Sequence, residues 1–460
     1  MHEISASRES TAQVLLFLIL VLALPFALAS SPTIFNDGDV SWHIAAGEWI
    51  VAHGKIPTTD PFSYTVTGHA WVVTEWLADV FLGLAYRIGG YSGVATLVAA
   101  AIMALHGILF FYLRSRAGPV VIAATLLAMD LVLIPFTLAR PHVLVWPLIA
   151  GWTILLLKAD EQGRVPPLWG ALILPFWTNI HGSFVVAAPI GAAIAFDALQ
   201  KTKWSNWRQW AWFALASAIG LLLNGNGLRG LMRPFEMENL AILPLVQEWQ
   251  PSTLQWMPQF YAVLGIGLFA LLYKGVRIPI GRLLLLLGLA GLAFSQVRHQ
   301  SWFVIVAACI LPPLLGSQPS RVPLARWAAY AAIPLLIGRA LWPIVPPENG
   351  ANPRQVIAAI PPGLRGQPVF NGYTFGGPLI LAGYRPYIDG RADMYGDAFV
   401  LDYSRITDGD MGRFEAVVRQ YGIRWTMLPA RSVLVQALDR SPRWKQIYSD
   451  RVGVIHVRRD

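Results

Sequence analysis

The sequence predicts an α-helical polytopic membrane protein of about 11 transmembrane helices with a small C-terminal extracytoplasmic α/β domain. Three observations predict it. Of the 460 residues, 55% are hydrophobic and 13% charged, whereas a typical soluble domain is about 25% charged. Apolar runs recur from residue 12 to about residue 345, so a cleaved secretory signal alone does not account for them. Beyond residue 347 the pattern changes to short strand-like segments between helix-like ones.

The apolar runs are 12–30, 73–88, 92–112, 118–138, 142–158, 167–180, 183–200, 209–224, 258–273, 279–296, 301–317 and 324–345. A bilayer-spanning helix needs roughly 20 mostly apolar residues. Several runs are shorter and broken by Pro or Gly, which suits helices shielded inside a bundle. Residues 11–30 resemble a signal sequence without a convincing cleavage site and read as a retained first helix. The links carrying Arg114/Arg116, Lys158/Arg164, Lys201/Lys203/Arg208, Lys274/Arg277 and Arg321/Arg326 are expected on the cytoplasmic side. They alternate correctly if 12–30 and every run from 92 onward cross once, with the N-terminus inside and the C-terminus outside. Counting 73–88 as a span would invert every later loop. Its sequence, VTEWLADVFLGLAYRI, carries Glu75, Asp79 and Arg87, which suits a helix lying at the outer interface.

The division that follows places the membrane domain at 1–346, with a first outer loop and its juxtamembrane helices at 31–91. PPENGANPR is a linker, and 347–460 is the extracytoplasmic domain, with strands at Pro368–Asn371, Arg385–Ile388, Ile423–Leu428 and Val452–Val457. The net charge of +9 lies in the short links, which is the pattern of a topology signal and gives no nucleic-acid partner. The 19 Trp suit a chain with much membrane-interface surface. The single cysteine, Cys309, excludes an internal disulfide and a cysteine-based metal site.

Under this topology Asp37, Asp39, His43, Asp60, Glu75, Arg140, His142, His181, Arg298 and His299 all fall at the outer ends of spans. Charge at bilayer depth is costly, so it tends to face a cavity or a partner. Acids from the first outer loop and cations from the turns LARPH, NIHGS and VRHQS are therefore expected to line one pocket. The combination suits transfer of a sugar from a lipid-linked phosphate. Arg and His bind the phosphate, Arg with two parallel hydrogen bonds. A carboxylate takes the proton of the acceptor hydroxyl. One carboxylate without a covalent intermediate implies inversion at the anomeric carbon.

The organisation resembles the GT-C type polytopic glycosyltransferases, in an uncharacterised bacterial branch. That superfamily has a D-x-D or D-E pair in its first outer loop, then juxtamembrane helices, then a bundle of spans. The pair here is Asp37-Gly-Asp39, in GDVSWHIAAGEWIVAHGKIPTTDPFSYTVTGHAWVVTEWL, with LARPH, NIHGSF, VRHQ and VFNGYTFGGPLILAGYRPYIDGRADMY following in order. The resemblance implies Asp39 and Asp37 as the catalytic pair; which of them is the base stays open, and closeness to the helix start favours Asp39, with Asp37 as its orienting partner. His43, Glu75, Arg140, His142, His181, Arg298 and His299 are then candidates for binding the donor phosphate or acceptor. The partners implied are membrane lipid, a lipid-linked sugar donor, and a glycan, lipid or protein acceptor, at the bacterial inner membrane. The His-Pro-Pro motif of many lipid-linked mannosyl and aminoarabinose transferases is absent, with TEWL in that region, so sugar and acceptor stay open. No WWD-type motif occurs either. No cofactor is expected, although a D-x-D pair can bind a divalent metal.

Plainer roles compete at individual positions. An Asp at the start of a helix is a favoured cap, which Asp39 can serve while acting as a base. Asp60 before Pro61 reads as a turn former. Arg140 and Arg298 can anchor spans to headgroups, and His181 can be a satisfied imidazole in a turn. Asp389, Arg391 and Asp393 can pair among themselves and fasten the C-terminal domain. FNGYTFGG lacks the spacing of a nucleotide-binding loop. Two other functions fit a polytopic chain. A surface-polysaccharide polymerase or ligase would use the 225–257 loop. A lipid-linked sugar flippase or transporter would show internal pseudo-symmetry of spans, which is not apparent.

Overall fold

The apolar runs fold as helices, with one small sheet near the C-terminus; the computed structural model describes residues 14–316 and 330–459. Four of the described helices are long and apolar enough to cross a membrane: Trp76–Leu113, Pro119–Phe136, Pro141–Glu161 and Gly182–Lys201. Trp207–Leu222 and Gly227–Met237, bent by 86° at their junction, make a fifth if they count as one span. Six shorter apolar helices of 10–17 residues complete the set, from Val14–Ser30 to Ala332–Leu341. Length alone therefore marks fewer spans than the 11 expected, and part of the 324–345 run lies outside the described residues. Proline shortens the helices. Pro119, Pro141 and Pro258 each stand in a first turn, where the missing N–H is no loss.

Each end of the bundle gathers its own cluster of acids and bases. Helix Pro141–Glu161 has Arg140 at one end and Glu161 at the other, roughly 30 Å apart at 1.5 Å per residue. At the Glu161 end, Arg116 Nε donates to Glu161 at 3.0 Å and Lys201 Nζ donates to the Asp160 carbonyl at 3.0 Å. Arg282 pairs with Asp160, and Asp197 accepts the Gly281 N–H at 2.7 Å. Arg116 and Lys201, from two of the basic links, thus meet at the end of this helix away from Arg140.

The segment around 73–88 forms a helix that starts at Trp76, with a turn at Thr74 and Glu75 ahead of it. It is separated from the following span by Gly89 and Gly90. Gly90 holds φ +56°, ψ −144°, a conformation open to glycine and costly for other residues. The segment packs along Asp39–His53, and the two backbones touch where Gly47 faces Gly83. A Cβ on Gly83 would lie 2.7 Å from the Glu48 nitrogen and the Gly47 carbonyl carbon. This crossing places Asp79 against His43.

The C-terminal sheet has four strands: β1 (Val369–Asn371), β2 (Trp425–Pro429), β3 (Trp444–Ser449) and β4 (Gly453–Arg458). Their order is β1-β2-β4-β3, parallel between β1 and β2 and antiparallel elsewhere. Three of the four expected strands are present. Arg385–Ile388 is not a strand. Pro386 has no N–H to give a ladder, and the Asn371 side chain takes the place of a neighbouring strand. It accepts from Tyr387 N at 2.7 Å and donates to the Ile388 carbonyl at 2.8 Å. Strand β3 went unforeseen because its residues are mostly exposed, Trp444 excepted, so apolar alternation does not mark it.

A buried ion cluster fastens this unit to the first long loop. Arg391 Nη1 lies 2.8 Å from Asp60 Oδ1 and its Nη2 lies 2.6 Å from Asp389 Oδ2. Tyr395 donates to the same Asp389 oxygen at 2.7 Å. Asp60 also accepts the N–H groups of Phe62 and Ser63, so it is a turn former as well as the loop's half of the lock. Asp393 does not join this cluster and pairs with Arg233 at 2.6 Å. Arg391→Met leaves Asp60 and Asp389 buried without their cation, and should cost about 3–5 kcal/mol in denaturant unfolding. A loss under about 1 kcal/mol would show that the lock is dispensable. Gly83→Val overpacks the helix crossing and should lower stability by about 1–3 kcal/mol. Gly265→Ala, inside helix Pro258–Tyr273 with nothing within 4 Å of the added Cβ, should hold or raise the thermal midpoint; equal midpoints for the two variants would refute the tight crossing.

Candidate functional site

After the 3-10 turn Pro32–Phe35, the chain enters helix Asp39–His53 through Asp37 and Gly38. The two acids divide their roles here. Asp37 Oδ1 accepts the Asp39 backbone N–H at 2.8 Å, closing an Asx turn. Capping therefore falls to Asp37, which leaves the Asp39 carboxylate for the cavity. Gly38 separates them because the C-terminal unit presses on this turn: a Cβ there would lie 2.4 Å from the Thr374 carbonyl oxygen. Gly390 closes the other side, where a Cβ would meet Asp39 Oδ1.

Arg140 reaches the pair from the opposite wall. Pro141 holds its backbone extended, at φ −122°, ψ 162°, so the side chain leaves the helix start and enters the cavity. Nη1 donates to Asp37 Oδ2 at 3.0 Å and to Glu248 Oε2 at 3.3 Å, and Nη2 lies 3.2 Å from Asp39 Oδ2. Arg298 stands 3.8 Å from Glu248 Oε1 and over the Trp249 ring, 4.2 Å from its centre. Two guanidinium groups thus flank one carboxylate.

A second chain of groups lines the adjoining wall. His43 Nδ1 lies 2.6 Å from Asp79 Oδ1, and its Nε2 lies 3.8 Å from Glu75. Glu75 Oε1 is 3.5 Å from His181 Nε2. His181 Nδ1 accepts the Ser183 N–H at 3.1 Å, so the neutral ring carries its proton on Nε2, toward Glu75. His181 is therefore both a turn cap and a cavity residue. His142 Nε2 donates to the Phe136 carbonyl at 2.7 Å while its ring faces the cavity. Trp42 stacks on His43 at 3.6 Å.

Desolvation governs the protonation of these groups. Burial, and then the charge of Asp37, raises Asp39 to about 7 against the pull of Arg140. Burial raises Glu75 to about 7 as well, opposed by Arg140 and Arg298. Glu248 is driven up by burial, but Arg140 and Arg298 outweigh this and hold it at about 2. His43 is pushed below the usual histidine range by burial and by Arg140.

The cavity has a volume of about 780 Å³. It is lined by Asp37, Asp39, His43, Glu75, Arg140, His142, His181 and Arg298, eight of the nine residues named as catalytic or binding candidates, whereas Asp60 lies in the Arg391 lock. His299 is the exception. It is buried, packs on Trp302 at 4.2 Å and faces the Leu292 carbonyl rather than the cavity, because the 3-10 turn Val297–His299 sends neighbouring side chains in different directions. Sequence reasoning missed Asp79 and Glu248. A carboxylate inside an apolar run, four residues after Glu75, was a signal for Asp79. Glu248 had none, since only the fold brings residue 248 to residue 140. The C-terminal unit adds Tyr373, Gly390, Arg391 and Asp393 to the wall, and Leu138, Met237, Val246, Trp256 and Met257 give an apolar side. Among the described residues no group of three or more His, Cys, Asp or Glu is arranged to hold a metal ion. At the acid pair the nearby positive charge is Arg140.

No family model matches the sequence, and no curated protein does. Solved structures do. ArnT from Cupriavidus metallidurans in the apo state is 13% identical with a TM-score of 0.57, over 97% of this chain and 98% of that one. The same protein bound to undecaprenyl phosphate is 12% identical at a TM-score of 0.57, over 96% and 97%. The apo form of the Archaeoglobus fulgidus oligosaccharyltransferase is 11% identical at 0.47, over 89% and 69%. Along nearly its whole length, this chain shares the fold of the ArnT structures.

Proposed function

We propose that the protein is an integral membrane glycosyltransferase that moves a sugar from a polyprenyl-phosphate donor to an acceptor hydroxyl on the outer face of the bacterial inner membrane. The observation that carries this reading is the pairing of an acid pair with two arginines in one cavity at the end of an apolar bundle. The fold shared with ArnT, which has been crystallised with undecaprenyl phosphate, supports the donor class. Eleven crossings with the N-terminus inside put the cavity and the 347–460 domain outside, and 1–346 is then the membrane domain.

In this reading Arg140 and Arg298 hold the donor phosphate, with His142 and His181 beside it. Their positive charge stabilises the phosphate as the glycosidic bond breaks, so the leaving group departs as an anion without needing a proton. The polyprenyl chain lies along the apolar side of the cavity. Asp39 removes the acceptor proton, and the acceptor oxygen attacks the anomeric carbon from the face opposite the phosphate, which inverts the centre. Asp37 fixes the turn and shares Arg140. Asp79 holds His43 in one orientation beside Glu75, making His43 and Glu75 a route for the proton or contacts for the acceptor. Arg140 provides the charge at the acid pair, and no cofactor enters the scheme.

Asp39→Asn should reduce transfer from a polyprenyl-phosphate sugar by about 10²–10⁴-fold with the thermal midpoint retained; turnover near wild type would remove Asp39 as the base. A base must be unprotonated to act. With Asp39 at about 7, kcat/KM should rise with pH through about 7 and then level, and a rate that falls over that interval would contradict the assignment. Arg298→Gln should weaken binding of a polyprenyl phosphate by about tenfold or more, the scale of one lost charged hydrogen bond. Unchanged affinity would place the phosphate elsewhere.

A further inference from the structure

Glu248 enters the cavity from the 225–257 connection, and its carboxylate lies between two guanidinium groups. Oε2 is 3.3 Å from Arg140 Nη1 and Oε1 is 3.8 Å from Arg298 Nη1. Two oxygens sharing one negative charge between two arginines is also the way a phosphodiester would be held. Despite its burial, the charges of Arg140 and Arg298 hold this carboxyl below the usual carboxylate range, so it meets them as an anion.

The surrounding chain is held by other bonds. Asp397 of the C-terminal unit accepts the N–H groups of Ala241 and Ile242 at 2.9 and 3.3 Å. At the far end, Val297 N donates to the Gln250 carbonyl at 3.0 Å, Ser252 N to the Phe294 carbonyl at 2.9 Å, and Gln300 Nε2 to Ser252 Oγ at 2.8 Å. Between these anchors run two single 3-10 turns, Leu243–Leu245 and Gln247–Trp249. The segment is a short strap pinned at both ends, and the ion pairs of the Glu248 side chain are made with the cations of the cavity.

We propose that Glu248 is a built-in substitute for the donor phosphate, occupying the phosphate seat in the empty protein and giving it up when the lipid-linked phosphate binds. This rests on the reading of Arg140 and Arg298 as the donor-phosphate groups. The exchange conserves charge: one carboxylate leaves as one singly charged phosphodiester enters. Arg140 and Arg298 are then never left in a partly desolvated cavity without an anion, a state that is costly. It also couples donor loading to the strap. Trp249, which covers Arg298, is the next residue along the chain, so displacing Glu248 shifts the indole that walls the seat. Donor affinity is thereby set below what the two arginines alone would give, because the donor competes for a seat already filled.

Binding of a polyprenyl phosphate to the purified full-length protein in detergent tests this, comparing wild type with Glu248→Gln and Glu248→Asp. The glutamine keeps the shape and removes the competing charge. If the internal anion fills the seat about nine-tenths of the time, the Gln variant should bind about tenfold more tightly. The Asp variant, its carboxylate drawn back by one methylene, should fall between the two. Equal or weaker binding by the Gln variant, with wild type binding normally, overturns the exchange and leaves the donor assignment standing. Binding by neither wild type nor the Gln variant overturns the donor assignment and the exchange with it. If the Gln variant fails to fold, the Asp variant decides in the same way: tighter than wild type supports the exchange, equal or weaker overturns it.

Discussion

The cavity is organised around one cation. Arg140 touches Asp37, Asp39 and Glu248 at 3.0–3.3 Å, and these acids come from two loops about 200 residues apart in sequence. A carboxylate pair this close repels itself, and burial adds to the cost. Arg140 makes the arrangement stable while leaving Asp39 close to neutrality in its titration, where a group can exchange protons at ordinary pH. The proline after Arg140 is part of the same device, because it holds the residue extended and so aims the guanidinium away from its own helix.

The rest of the architecture delivers partners to that cation. Helix Asp39–His53 crosses the start of the 76–113 helix at Gly47 and Gly83, and the close approach brings Asp79 and Glu75 beside His43. The C-terminal unit is pressed against the acid pair at Gly38 and Gly390 and locked by Arg391 between Asp60 and Asp389. The strap from 241 to 252 then spans from that unit to the end of the bundle, with Glu248 at its inner side. The C-terminal unit is therefore a wall of the cavity as much as an appendage. It sets how far Asp39 can move, and it holds one end of the strap.

Much of this was legible in the sequence, for identifiable reasons. Asp37, Asp39, Glu75, Arg140, His181 and Arg298 each interrupt an otherwise apolar chain at a loop, and alternation of the basic links put those loops together. Charge near a membrane is scarce enough to stand out. The same logic misplaced His299, since adjacency to Arg298 says nothing about which way a side chain points in a single 3-10 turn. It passed over Glu248, an ordinary acid in a polar loop. It also marked Arg385–Ile388 as a strand, because β-prone residues in extended backbone look alike whether a strand or an asparagine side chain supplies the hydrogen bonds.

By itself, then, the sequence determined the class of the protein and the chemistry at its disposal: a bundle of apolar helices, an acid pair after the first of them, cations at the matching ends, and an α/β unit at the C-terminus. These are consequences of composition and period, which act locally and can be read locally. The tertiary structure alone decided which acid caps the turn and which faces the cavity, that one arginine serves three carboxylates, and that a distant glutamate fills the space between two guanidinium groups. Those outcomes depend on contacts between residues far apart in the chain, and on how much water is left around each charge once the walls have closed.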